Sequence, residues 1–282
     1  MLSKPKVRIG MVNFINTAPL YDIWQRTVKR PEWYVVEAAP SVLNRMLHTN
    51  QLDMGLVSSQ EYAAHPQDYL LLDDISISAS GPVGSVFLFS RCDPKLLADR
   101  TVLLSEQSQT SVSLVKIILE NFYQVMPHYE MGSVLEAQKN DAIQAVLAIG
   151  DEALVLAQGK TYPYMIDLSK IWYEETSLPF VFAIWAIRQE FCRNNPEVAM
   201  EIHHELLRCR NEGKQDLKNI SKRVAPRVSM DTEACYKYLC GIEHDLSPLK
   251  KKGLIRFIEY LIERGEGAAE ALPLKFFHQV EG

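Results

Sequence analysis

Short apolar runs alternate with helix-period patterns over the first two thirds of the chain. Residues 9–12 form the first run, bounded by charge and glycine, which is typical of a strand covered on both faces. Residues 33–38 predict a second strand, and a helix follows with Ser41 as its N-cap. Residues 52–57 predict a third strand. Strands and helices that alternate through short connections indicate the mostly parallel sheet of an α/β protein.

A second unit of the same kind begins near residue 90. Residues 101–104 and 145–149 predict buried strands, and each is followed by a helix with a polar start. Two long β-rich runs, residues 74–91 and 178–186, lie on either side of this unit. From residue 189 onward the pattern is almost entirely helical.

Together these patterns predict a two-lobed α/β protein with a discontinuous outer lobe. The outer lobe takes residues 1–89 and 178–282, including the helical C-terminal part, and residues 90–177 form an inserted middle lobe. Two crossover strands join the lobes and form a hinge, so we expect the binding cleft between the lobes. This organisation resembles the type 2 periplasmic-binding-protein fold.

The composition is that of an ordinary soluble globular protein. The chain has 282 residues, of which 47% are hydrophobic and 23% charged. Its formal net charge of -5 argues against a nucleic acid partner, because a basic surface is what attracts phosphates. No apolar run approaches the roughly 20 residues that span a bilayer, and residues 1–6 show no apolar leader, so we expect a cytoplasmic protein without a membrane partner. The sequence does not indicate an oligomeric state.

Polar side chains stand at three predicted helix starts, each of which follows a predicted strand. A helix N-terminus offers N–H groups without helical partners and a partial positive charge, so it binds a carboxylate without a cationic side chain. Two lobes that each offer such a terminus suit a ligand with two carboxylates. Helix capping alone would also explain these residue types. The candidate substrate-binding residues here are Asn13, Thr17, Ser58, Ser59, Gln109, Thr110 and Ser111, with Asn16 beside them.

Three further residues are candidates for the cleft. Ser85 lies on a proposed crossover strand beside two glycines, and it has no nucleophile-elbow motif, so a hydrogen-bonding role fits it. Asp151 follows the strand at 145–149, where it either binds substrate or caps the next helix. Phe180 belongs to a group of aromatic residues that we expect mainly in the core, although one of them could line the cleft against a flat ring.

The sequence predicts no metal site and no cofactor. His203 and His204 are adjacent and therefore point to different faces of a helix. The five cysteines are an odd number at scattered spacings, which argues against a disulfide framework. No glycine-rich dinucleotide or phosphate-loop pattern occurs.

Five short segments of the chain form a recognisable series of motifs: residues 12–20 (VNFINTAPL), 81–86 (GPVGSV), 109–114 (QTSVSL), 149–154 (IGDEAL) and 178–183 (LPFVFA). In this order they resemble the motifs of one enzyme family, the futalosine-pathway chorismate dehydratases of menaquinone biosynthesis. Five motifs in register are specific even though each is short.

The resemblance implies a cytoplasmic hydro-lyase that removes water from chorismate to give 3-[(1-carboxyvinyl)oxy]benzoate. Asn16 and Ser85 match the family positions at the reacting part of the cleft, and Thr110 and Ser111 match its Thr-Ser helix start. Gln109 departs from the family pattern, where arginine is common. If that arginine holds a substrate carboxylate, this chain must use helix N–H groups or another residue instead.

The base that removes the substrate proton is not identified by the resemblance. The predicted cleft segments contain few ionisable groups, and Asp151 is the best placed of them. Their scarcity suggests that the substrate's own enolpyruvyl carboxylate takes the proton.

Three alternative functions remain for the sequence. The 1,4-dihydroxy-6-naphthoate synthases share the pathway and the fold, but their usual Ser-Pro-Cys-Pro-Asn-Asp stretch does not follow Gly10 here. A solute-binding protein for a carboxylate metabolite would carry an export signal. The ligand-sensing domain of a regulator would usually be joined to a DNA-binding helix-turn-helix.

Overall fold

The computed structural model of the protein describes residues 6–159 and 161–277, apart from the side chains of residues 135 and 136. The predicted absence of a leader concerns residues 1–6 and so falls almost wholly outside the described residues. None of the helices within the described ranges is long and apolar enough to cross a membrane.

The strands alternate with helices over the first two thirds of the chain, as predicted. The strands are β1 (Val7–Met11), β2 (Trp33–Glu37), β3 (Met54–Ser58), β4 (Tyr69–Ala79), β5 (Val86–Ser90), β6 (Thr101–Ser105), β7 (His128–Gly132), β8 (Ile143–Ile149), β9 (Tyr164–Asp167) and β10 (Phe180–Arg188). The helices are α1 (Ala18–Thr27), α2 (Pro40–His48), α3 (Ser59–Ala64), α4 (Gln109–Lys116), α5 (Val134–Lys139), α6 (Gly150–Ala157), α7 (Leu168–Thr176), α8 (Gln189–Asn194), α9 (Pro196–Gln215), α10 (Leu217–Val224), α11 (Thr232–Gly241) and α12 (Pro248–Glu263).

The strands form two five-stranded mixed sheets. The first has the order β2-β1-β3-β10-β4 and the second has the order β7-β6-β8-β5-β9. In the first sheet β1 pairs in parallel with β2 and β3, and β10 is antiparallel to β3 and β4. In the second, β6 is parallel to β7 and β8, and β5 is antiparallel to β8 and β9. Helices that follow the parallel strands therefore begin at one edge of each sheet.

The chain passes between the sheets twice. The first link is residues 80–85, where Gly81 and Gly84 have φ of 110° and 73°, which L side chains rarely adopt. The predicted lobe boundary after residue 89 thus falls near the end of β5, a strand of the second sheet. The second link runs through α7 rather than through the extended strand that the aromatic run predicted, because β10 stays in the first sheet along its whole length. The exact division into lobes stays a prediction.

One helix start differs from its prediction. Ala39, not Ser41, is the N-cap of α2, because Pro40 occupies the first helical position and Ser41 already lies inside the helix. Ser58, predicted as a substrate-binding residue at a helix start with capping as the alternative, caps α3, since its hydroxyl accepts a hydrogen bond from the Glu61 amide at 3.2 Å.

The C-terminal helices pack closely against the first sheet and its helices. A Cβ atom at Gly213 of α9 would lie 1.5 Å from the carbonyl oxygen of Pro19, and one at Gly253 of α12 would lie 2.0 Å from that of Pro179. These two glycines let helix backbones approach α1 and the start of β10. These C-terminal helices, called the helical tail below, are therefore part of the hydrophobic core around the first sheet.

Candidate active site

A cavity that is partly open to solvent lies between the two sheets, with about 570 Å³ of space when the open part is included. No residue among the described ones that line it carries a charged side chain. The lining residues are Val12, Phe14, Asn16, Thr17, Pro40, Leu56, Val57, Ser58, Ile77, Val83, Ser85, Val86, Ser108, Ser111, Ile149, Gly150, Phe182 and Ala183.

Helix starts from both sheets converge on this cavity. Ser108, the N-cap of α4, and Gly150, the first residue of α6, approach from the second sheet. Ser58 at the start of α3 and Asn16 in the 3-10 turn before α1 approach from the first. First-turn N–H groups lack helical partners and carry partial positive charge. An uncharged wall of this kind favours an anionic ligand.

Asn16 presents an unpaired acceptor at the cavity. Its Oδ1 atom is buried and has no hydrogen-bond partner among the described residues. Its backbone carbonyl is 2.8 Å from Nε2 of His244. Burial lowers the pKa of His244 to about 4, so the ring is neutral at pH 7 and its Nε2–H donates to the carbonyl. Sequence analysis did not identify His244, because its partner is 228 residues away.

Ser85 is completely buried and is held at both its backbone and its hydroxyl. Its carbonyl accepts a hydrogen bond from the Gly150 amide at 2.8 Å. The hydroxyl of Tyr238 on α11 donates to Ser85 Oγ, also at 2.8 Å. Tyr238 too was missed by sequence analysis, since it lies in the tail, outside all five motifs.

Ser58 and Gln109 are brought together by a residue that sequence analysis missed. The fully buried Asn44 accepts a hydrogen bond from the Ser58 amide at 3.0 Å through Oδ1. Its Nδ2 donates to Ser58 Oγ at 2.8 Å and to Gln109 Oε1. Asn44 therefore ties the start of α3 to the start of α4. Gln109 does not line the cavity.

Three more of the predicted hydroxyl residues form hydrogen bonds within the protein. Thr17 lines the cavity, but its hydroxyl donates to the carbonyl of Val12 at 2.7 Å. The Ser59 hydroxyl donates to the Val181 carbonyl at 2.7 Å, and Thr110 Oγ1 accepts from the backbone amide of residue 60 at 3.0 Å. Ser59 and Thr110 lie outside the lining, whereas Ser111 belongs to it.

Asn13 and Asp151 lie beside the cavity in a polar group at its rim. The Asn13 amide donates to Glu37 at 2.7 Å and accepts from Arg227 at 3.0 Å. Asp151 accepts from the Ile15 amide at 2.9 Å and is 3.3 Å from Arg227. Burial raises the pKa of Asp151, and these two contacts oppose the shift. The predicted alternative role as a cap of its own helix is wrong, because the carboxylate caps the turn at Ile15 instead.

Of the two phenylalanines at the start of β10, Phe182 lines the cavity and Phe180 does not. Phe180 is completely buried, with its ring centroid 5.2 Å from that of Trp172 and 5.0 Å from that of Phe257. In a regular strand, residues two apart face the same side of the sheet. The pairing of β10 with β4 shifts register between Val181 and Ala183, so Phe182 lies at an irregularity of the strand. Phe180 packs in the core, while Phe182, 4.6 Å from it, contributes to the lining.

Metal-ligating side chains come together away from this cavity. His203, considered in the sequence, contacts the carbonyl of Asp73 through Nε2 at 2.8 Å. His48, His65 and Asp68 place one ligand atom each within 4.8 Å of one another. The two rings stack at a centroid distance of 3.9 Å and an angle of 23°, so their in-plane lone pairs run side by side and do not converge. This arrangement is a stacked pair rather than a formed coordination site.

Comparison with known proteins identifies relatives over nearly the whole chain. A family model described as menaquinone biosynthesis matches residues 7–263. The chorismate dehydratase of Thermus thermophilus is 32% identical over 270 residues, covering 90% of this chain and 94% of that protein. The chorismate dehydratase of Campylobacter jejuni is 26% identical over 262 residues, covering 89% and 95%.

Solved structures confirm the predicted fold. A protein of Archaeoglobus fulgidus superposes with a TM-score of 0.74 at 16% identity, over 93% of this chain and 99% of its own. The alkanesulfonate-binding protein SsuA of Xanthomonas axonopodis, bound to MOPS, gives 0.70 at 13% identity, over 95% and 96%. A Candida albicans protein described as having the generic periplasmic-binding-protein fold gives 0.64 at 10% identity, over 93% and 90%.

Proposed function

The chain belongs to the menaquinone biosynthesis family, and from this we propose that it is a chorismate dehydratase, a hydro-lyase that forms 3-[(1-carboxyvinyl)oxy]benzoate. The observation that carries the proposal is the uncharged cavity at converging helix starts, which suits a dicarboxylate. The similarity to two chorismate dehydratases names the substrate. A cytoplasmic location and a small-molecule partner belong to the same proposal.

The reaction requires the protein only to position the substrate and to support proton transfer. The C3–H and C4–O bonds of chorismate break, C3 and C4 become doubly bonded, and water leaves. The product ring is aromatic, which supplies the driving force, and no electrons are exchanged with a cofactor. The protein must orient the dianion, help the hydroxyl to depart and provide for the C3 proton.

Asn16 and Ser85 are the residues we propose for the reacting part of the substrate. The buried Oδ1 of Asn16 lacks a donor among the described residues, and the C4 hydroxyl of chorismate is such a donor. Ser85 Oγ accepts from Tyr238, which leaves its own proton free to reach the departing oxygen. The two residues would thus hold this oxygen from two sides.

The carboxylates of the substrate are assigned to the helix starts. Both α4 and α6 are eight-residue helices whose first turns border the cavity. We propose that their N–H groups, with the hydroxyls of Ser58 and Ser111, bind these carboxylates. Gln109 would serve instead to hold the lobes together through Asn44, which would account for the absence of arginine at this position.

We propose that the enolpyruvyl carboxylate of the substrate itself is the base that removes the C3 proton. No carboxylate is present among the described lining residues, and Asp151 is occupied by Ile15 and Arg227. Asp151→Asn should therefore retain turnover within about tenfold, whereas loss of a general base costs about 10²–10⁴-fold. Asp141→Asn, at a side chain that is 97% exposed, is the matched control. A variant Asp151→Asn that binds chorismate but does not turn it over would make Asp151 the base.

The activity itself is tested by mixing the purified protein with chorismate and following the products by mass spectrometry. We expect loss of one water, with a decrease of about 10²-fold or more in kcat/KM for Ser85→Ala and Asn16→Ala. Ser80→Ala, an exposed serine in the same link, should retain activity. Tight binding without reaction would indicate a carrier or sensor, and no binding would direct the next test to the naphthoate synthase substrate.

A further inference from the structure

We propose that Tyr238 is a positioning residue that sets the direction in which Ser85 delivers its proton, an inference that rests on the dehydratase proposal. Tyr238 lies on α11 and is not part of the cavity lining. Its hydroxyl is 2.8 Å from Ser85 Oγ, on a helix 153 residues further along the chain. It would act on the reaction only through Ser85.

The direction of this hydrogen bond follows from what each hydroxyl can satisfy. A serine hydroxyl has one proton and two acceptor lone pairs. Ser85 Oγ is the partner of the Tyr238 hydroxyl within the described part of the chain, so donation by serine would leave the tyrosine proton without an acceptor. Burial also raises the pKa of Tyr238, which keeps it protonated at neutral pH. Tyr238 therefore donates, and the Ser85 proton is left to point elsewhere.

The backbone around Ser85 has little freedom to change that direction. Gly84 has φ of 73°, its amide donates to Asp167 at 2.7 Å, and a Cβ atom there would lie 3.4 Å from the Tyr238 ring. The carbonyl of Ser85 is held by Gly150. With the backbone fixed and one lone pair occupied by tyrosine, the remaining space for the serine proton is on the cavity side, where Ser85 belongs to the lining.

The resulting proton path balances. As the C4–O bond breaks, its electron pair goes to the departing oxygen, which takes the proton of Ser85 and leaves as water. Negative charge that develops on Ser85 Oγ is stabilised by the hydrogen bond from Tyr238. Ser85 then recovers a proton from the substrate carboxylic acid that removed the C3 hydrogen. Tyr238 keeps its own proton throughout.

A double-mutant cycle tests this role. Tyr238→Phe removes only the hydroxyl, and we expect kcat to fall about 10- to 100-fold while KM changes less than about threefold. In a Ser85→Ala background, the same substitution should change kcat less than about twofold, because the group it acts through is gone. Tyr236→Phe, on the same helix, is the control and should match the wild type.

Each outcome decides a separate point. A fall in kcat that is equally large with and without Ser85 would overturn the positioning role, as would an unchanged kcat or a loss seen mainly in KM. The kcat and KM of Tyr238→Phe alone decide the question if Ser85→Ala has no measurable rate. A wild-type protein that leaves chorismate unchanged would instead refute the dehydratase proposal, and the inference with it.

Discussion

Replacing Asn44 with alanine should destabilise the protein measurably, because one buried amide serves three hydrogen bonds. Asn44 is completely buried. It accepts from the Ser58 amide at 3.0 Å and donates to Ser58 Oγ at 2.8 Å and to Gln109 Oε1. Two of these bonds lie within the first sheet and its helices, and the third reaches α4.

The magnitude follows from the groups left behind. The Ser58 amide would remain buried without its acceptor, which costs about 1–3 kcal/mol. The missing side-chain atoms would leave a small void, which adds about 1 kcal/mol. We therefore expect Asn44→Ala to lower the free energy of unfolding by about 2–4 kcal/mol. Gln109→Ala leaves both bonds to Ser58 intact, so it should cost at most about 1 kcal/mol.

Equilibrium unfolding in urea measures these differences, provided that the slope of the transition is unchanged. Asn219→Ala is the matched control, because that amide is exposed and donates to Asp216 on the surface. It should stay within about 0.5 kcal/mol of the wild type. A decrease in the free energy of unfolding below about 0.5 kcal/mol for Asn44→Ala would refute the stabilising role that we assign to the buried hydrogen bonds of Asn44.

Two further predictions concern the tail. In the folded protein the pKa of His244 is about 4, whereas in the unfolded chain it is about 6.5. The free energy of unfolding should therefore be highest above pH 6.5 and fall by about 2–3 kcal/mol as the pH falls towards 4. Urea titrations at several pH values should show that His244→Gln removes this part of the decrease. Gly213→Ala should cost more than about 3 kcal/mol or prevent folding, since its Cβ would lie 1.5 Å from the carbonyl of Pro19, whereas Gly241→Ala, with no atom within 4 Å, should leave the melting temperature nearly unchanged.

The alternation of strands and helices was predictable because it depends on local hydrophobic periodicity. β1, β3, β6 and β8 are the most buried parallel strands, and each was recognised from its apolar run. The strands β7 and β9 lie at the edges of the second sheet and are partly exposed, so their weaker pattern was missed. The prediction that the second link is an extended strand was also wrong, because hydrophobic periodicity does not show which sheet a strand joins.

The site was predictable only where a single segment carries it. Asn16, Ser58, Ser85 and Ser111 were proposed from motifs at strand ends, and all four line the cavity. The exchange of Phe180 for Phe182 depends on the irregularity of β10 between Val181 and Ala183, which a continuous apolar run does not reveal.

Residues that act through distant contacts gave no signal in the sequence. Asn44 lies inside α2, where nothing in the local sequence distinguishes it from other polar residues of a helix. Its partner Gln109 is 65 residues away. Tyr238 is 153 residues from Ser85. Such pairings follow from tertiary structure and not from local pattern.

The helical tail contacts both of the residues that we propose for the reacting part of the substrate. Asn16 lies in the turn before α1 and Ser85 in the link between the sheets, and each accepts a hydrogen bond from one polar atom of the tail. His244 and Tyr238 lie six positions apart on the same stretch of chain, at and just after α11. Two hydrogen bonds from one short stretch fix the spacing between the two proposed reacting groups, and a shift of α11 would move both together.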